Sequence, residues 1–153
     1  MLDKILNFFF FRGFRVKQTK KKFLNCLESE LAEEFLQLLL NLMSLVFFLH
    51  KDFRRNIKDF NGRYLFRSKD NKITVAAIFK NNRMTVLEKA IDNTNVTVIF
   101  KDQRALMKFI LSPKPDILGS ILNQDVTLDG NLNYLSKFAY MAKHLQLMVS
   151  GGI

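Results

Sequence analysis

Few residues of this chain carry chemistry, and their spacing assembles no reaction centre. Cys26, His50 and His144 are its only cysteine and histidines, and no two of them fall at a spacing that builds a metal site or an activated nucleophile. A lone cysteine excludes an internal disulfide and is one ligand short of a zinc pair, so reducing surroundings are the default. Asp125 and Asp129 are four apart. On a strand running into a turn that spacing sets them at the ends of one element, where capping is a simpler use than general acid and base. There is no glycine-rich phosphate loop and no dinucleotide fingerprint. The expectation is a non-catalytic protein with no cofactor and no metal.

What the chain has in quantity is apolar bulk and positive charge. It is 48% hydrophobic, with sixteen phenylalanines and no tryptophan, an inventory that suits either a dense core or a greasy cavity. Its 153 residues contain two prolines and six glycines. That length fits one domain, and nothing reads as a disordered linker. The net charge of +10 is unevenly spread: residues 1–22 hold seven Lys or Arg against one acid, residues 23–50 none against four glutamates, and residues 51–72 eight against three.

In the first segment Arg12, Arg15, Lys17, Lys20, Lys21 and Lys22 follow Phe8, Phe9, Phe10 and Phe11, so an apolar wedge adjoins a basic cluster. These ten residues are the candidate membrane contact, because an anionic bilayer attracts the cations and its interface admits the rings. A solvated basic face with the rings docked on the domain is the alternative. Nucleic acid would also draw such charge. Without a helix-turn-helix, an aromatic ribonucleoprotein motif or a zinc finger, it is not the expected partner. The basic residues follow the apolar stretch where a secretory signal would place them before it. The longest apolar run, residues 35–49, is fifteen residues, against about twenty for a bilayer span. A cytoplasmic protein, peripheral at the inner membrane face, is expected.

The elements follow from periodicity. Residues 23–49 read as a helix in which Leu31, Phe35, Leu38, Leu42, Leu45 and Leu49 form a stripe at alternating steps of four and three. The other faces are apolar too, so this helix must be wrapped by the domain, a second copy or lipid, and homodimer contact is the expected use. Residues 51–61 carry Phe53, Ile57 and Phe60 among four cations, an amphipathic helix ending at Asn61-Gly62. Strands follow at 63–68, 73–80, 83–89 and 95–100, with turns at Asp70-Asn71 and Asn81-Asn82. Joined this closely, they are expected to form an antiparallel meander. Two short helices at 103–111 and 116–123 are separated by Pro113 and Pro115. After the alternating strand within 125–131, Leu132, Leu135, Phe138, Ala139, Ala142 and Leu145 recur at helical spacing.

A short strand, Asp125-Val-Thr-Leu-Asp-Gly-Asn131, pinned between two helical stretches after a sheet, resembles the closing elements of the sterol carrier protein type-2 domain. The resemblance covers roughly residues 50–148 and rests on element order; where family members often carry a glycine before the last strand, this chain has Asn123-Gln124. It implies an α+β, two-layer fold: a mostly antiparallel five-stranded sheet covered on one face by helices, here with an N-terminal helical extension. The expected division is residues 1–22 as extension and 23–153 as one lipid-binding domain. It further implies non-catalytic carriage of a sterol, fatty acyl or isoprenoid lipid in a hydrophobic tunnel. The wall would draw on Phe79, Val98, Phe100, Leu106, Phe109, Ile110, Ile117, Ile121, Phe138, Met141, Leu145 and Met148. One bacterial branch of the family assists ubiquinone biosynthesis, which gives the alternative of an isoprenoid quinone intermediate as ligand. A ligand-free dimerisation module is the third reading.

Overall fold

Asparagine turns fold the first three strands against one another. The computed structural model describes residues 32–110 and 117–149, so the aromatic and basic segment 1–22, Leu31 and Cys26 lie outside the described residues. Strands β1 (Gly62–Ser68), β2 (Thr74–Lys80) and β3 (Arg83–Leu87) pair antiparallel in order. Asn81 and Asn82 join β2 to β3 at φ 54° and 59°, the left-handed pair that a two-residue hairpin loop needs. At the β1–β2 turn, Ser68 Oγ donates to Asp70 Oδ1 at 2.5 Å and accepts the Ile73 N–H at 3.0 Å.

That turn yields a stability test. Removing the hydroxyl with Ser68→Ala leaves the buried Ile73 amide unpaired, which costs about 1–3 kcal/mol in urea unfolding. The Ser68 hydrogen bond, helped by the Lys72 backbone, holds the Asp70 carboxyl below its ordinary pKa. Stability from a depressed carboxyl is present above the ordinary value and fades as pH falls through the lowered one. The deficit of Ser68→Ala should therefore narrow in acid.

The fourth strand breaks the expected meander. β4 (Val96–Phe100) does not lie beside β3 but crosses over to pair parallel with β1, and β5 (Val126–Gly130) pairs antiparallel with β4. The sheet order is β3-β2-β1-β4-β5. The crossover is fastened to the start of β1 by Asn95. Its N–H donates to the Arg63 carbonyl and its Oδ1 accepts the Arg63 N–H, both at 2.8 Å, while the Arg63 guanidinium reaches the Asp92 carbonyl. Residues 88–95 are also too long a connection for a tight hairpin. The sheet is mixed, with three antiparallel pairs and one parallel.

Strand alternation puts Tyr64, Phe66, Val75, Ala77, Phe79, Val96, Val98, Phe100 and Val126 on one face, where the helices meet them in a single buried cluster. Helix α1 (Ala32–Leu49) lies along β2 and β3, its Ser44 Oγ donating to the Met84 carbonyl at 2.6 Å. Its buried residues are Ala32, Leu36, Leu40, Met43 and Phe47, not the stripe marked by sequence spacing; Phe35, Leu38 and Leu42 are half-buried, and Leu45 and Leu49 are exposed. With every face apolar, spacing alone could not say which one the sheet would take.

The expected helix at 51–61 is shorter. An α-helical turn, α2 (Lys51–Arg54), passes into a 3₁₀ turn over Arg55–Ile57, and Asp59 at φ 54° ends it. Burial is kept nevertheless, since Phe53 and Ile57 are both fully enclosed and Phe47 stacks on Phe53 at 4.3 Å. Helix α3 (Gln103–Ile110) is capped by Asp102, whose Oδ1 accepts the Ala105 N–H at 2.8 Å. Short α4 (Ile117–Leu122) precedes β5, and α5 (Leu132–Val149), capped by Asn131, returns over the sheet. The result is α+β: a five-stranded sheet with helices on one face.

Candidate functional site

Of the described polar residues that could do chemistry, His144 and Asp125 take part in side-chain pairs that hold the fold. His50 is exposed at the α1–α2 corner, whereas His144 on α5 bonds Asn56 through Nδ1 at 2.8 Å and lies against the Phe53 ring. Asp125 pairs with Lys108 at 3.5 Å and Asp129 lies at the other end of β5, exposed. Among the described residues no group of three His, Cys, Asp or Glu could hold a metal. No buried side-chain nitrogen or oxygen among them lacks a hydrogen-bond partner. The buried polar groups of the described interior are thus all satisfied within the protein.

That interior runs the length of β1. Gly62 pairs with Phe79 at one end and Ser68 with Phe100 at the other, a separation of roughly 20 Å at about 3.3 Å per residue. The Phe79 end is filled by rings: Phe47, Phe60 and Tyr64 lie 5.9, 5.7 and 5.4 Å from it. In the middle, Phe138 of α5 meets Tyr64 and Phe66 at 5.3 and 5.4 Å. At the far end Phe109 of α3 faces Phe100 at 6.0 Å.

Against this frame the twelve expected wall residues divide. Phe79, Val98, Phe100, Leu106, Met141 and Leu145 are buried in the common core, with Phe109, Phe138 and Met148 half-buried against it. Ile121 is exposed on α4, and nothing is described of the Ile110 and Ile117 side chains. Phe79 stands apart, a full strand length from Phe100 and Phe109. Sequence spacing missed Tyr64, which is wholly buried at the centre of the layer, its hydroxyl donating to the Tyr134 carbonyl at 2.7 Å. Burial, and secondarily the neighbouring Tyr134, raises its pKa, so the phenol stays neutral. The position was legible as an inward one beside Phe66; the helix carbonyl that accepts its proton was not.

No protein-family model matches the chain, and no curated protein matches its sequence. Among solved structures it is similar to the UbiJ-SCP2 ubiquinone synthesis protein, with TM-score 0.50 and 16% identity over 71% of this chain and 96% of that one. It is similar also to the sterol carrier protein domain 2 of Helicoverpa armigera, with TM-score 0.48 and 16% identity over 74% and 87% of the two chains. A sec-alkylsulfatase from Pseudomonas sp. aligns with TM-score 0.43 and 22% identity over 56% of this chain, which spans only 13% of the sulfatase. The UbiJ-SCP2 likeness, nearly complete over that structure, shows the sterol carrier protein type-2 fold.

Proposed function

We propose that this chain binds and carries an apolar lipid between its sheet and its C-terminal helices, without catalysing a reaction on it. The single observation that carries the reading is the fold itself with its mainly apolar inner layer, whose few buried polar groups are hydrogen-bonded within the protein. The ligand-facing part is the half of the layer away from Phe79, where Phe109 is incompletely buried beside Phe100; Phe138 and Met148 of α5 are likewise only half-buried against the core. Rings packed around Phe79 close the other end. Uptake is driven by transfer of methylenes from water, at about 0.8 kcal/mol each.

The lipid class divides two readings. A sterol or fatty acyl chain is one; an isoprenoid quinone intermediate is the other, favoured by the neighbour described as a ubiquinone synthesis protein. Fluorescent acyl, sterol and prenyl probes separate them. At least one is expected to bind saturably at micromolar strength. Phe109→Asp should weaken it tenfold or more, a loss of about 1.4 kcal/mol, while lowering stability by less, because that ring is only half-buried. Absence of saturable binding to all three would leave a filled-core module whose surface, not its interior, does the work.

A further inference from the structure

We propose that the corner where α1 meets α2 is a docking surface for anionic lipid bilayers, with the α1 tip entering the interface. This goes beyond lipid carriage and does not depend on it. Along the outer face of α1 the exposed residues change character: Glu34 and Asn41 come first, then Leu45, Phe48 and Leu49, which are 46%, 67% and 62% exposed. The buried face of the same helix is seated on the sheet. Although α1 is long and apolar enough to cross a membrane, a crossing would strip it from β2 and β3 and bury Glu34. Only its tip is free to enter.

Cations surround that tip. Arg54 Nη1 donates to the Phe48 carbonyl at 3.2 Å, which places a guanidinium at the end of α1. Lys51, Arg55 and Lys58 are exposed on the following turns and outnumber the two acids there, Asp52, which lies 3.5 Å from Arg55, and exposed Asp59. His144 fastens α5 to this corner through Asn56, so exposed Tyr140 and Lys143 border it. Inside the corner, Phe47 stacks on Phe53 and makes the platform rigid. Aliphatic and aromatic groups ringed by lysine and arginine match a bilayer interface with anionic headgroups. A second copy of the same surface would set cation against cation, and nucleic acid has no use for the exposed leucines.

The absence of tryptophan in the chain makes the test direct. Phe48→Trp, in the full chain, places the sole indole on the tip, and Asn41→Trp places it on the polar part of the same face. With vesicles of phosphatidylcholine plus phosphatidylglycerol, position 48 is expected to shift to the blue and be quenched by brominated acyl chains, with position 41 unchanged. Lys51→Gln with Arg55→Gln and Lys58→Gln should lower vesicle affinity roughly a hundredfold, at about fivefold for each basic residue. Soluble probe binding should be unaffected, which keeps this result separate from the carriage reading. The proposal is overturned if position 48 does not respond, if pure phosphatidylcholine binds equally well, or if the indole shifts with protein concentration alone, which would make the corner a dimer contact. Tighter binding to duplex DNA than to the vesicles at the same salt would overturn it too.

Discussion

Gly130→Ala is expected to lower the unfolding free energy by about 2–6 kcal/mol, enough to unfold a marginally stable domain. Gly130 ends β5 at φ +113°, where an L side chain is strained whatever the space. There is also no space. A Cβ there would lie 2.3 Å from the Asn95 carbonyl oxygen and 3.0 Å from the Val96 Cα, both backbone atoms with no freedom to move aside. The same Asn95 carbonyl accepts the Asn131 N–H at 2.8 Å, and the rest of Asn95 holds the start of β1. A shift at Gly130 thus loosens the junction of three strands at once. Thermal unfolding of the variant checks this, and a loss under 1 kcal/mol would mean that β5 leaves the sheet here at little cost.

Phe47→Ala is expected to cost about 3–5 kcal/mol, and Phe48→Ala, one residue along, less than about 0.5 kcal/mol. Phe47 is 1% exposed, stacked on Phe53 and edge-on to Phe79, so its removal opens a cavity at the join of α1, α2 and the sheet. Phe48 is 67% exposed and gives up little. Urea unfolding of the two variants measures both. Equal losses would show that the tip of α1 is covered.

The contrast between these neighbours marks what could be read from the sequence. Strand alternation was legible because one face of each strand is mainly apolar: in β1, Tyr64 and Phe66 lie on the helix-covered face and Arg63 and Arg67 on the other. The asparagine turns were legible because few other residues accept a positive φ. The path of β4 was not. Its parallel place beside β1 is fastened by the side chain of Asn95 bonding a backbone amide 32 residues earlier, a contact that local pattern does not encode. The sheet-facing side of α1 was hidden for the opposite reason, an excess of signal, since leucine on every face lets several stripes satisfy the same spacing.

For the candidate site the same division holds. Val98, Phe100, Leu106, Met141 and Leu145 were expected inward and are buried together. Phe79, also expected in the wall, is buried in the ring cluster at the other end of β1, where Phe47 of α1 lies edge-on to it. Helix α4 was expected to contribute Ile121, which is 36% exposed. Which inward residues face a ligand and which face only each other is decided by how α5 and α3 lie over the sheet, a tertiary matter that periodicity does not encode.

Native mass spectrometry of the chain, expressed in cells and purified without detergent, tests lipid carriage most directly. A lipid carrier is expected to appear as the bare chain together with one or more adducts of lipid mass. Collisional activation should release these as an identifiable sterol, fatty acyl or isoprenoid species, and Phe109→Asp should deplete them. A single species at the mass of the bare chain, unchanged after incubation with all three lipid classes, would contradict carriage and leave the layer between sheet and helices as packed core.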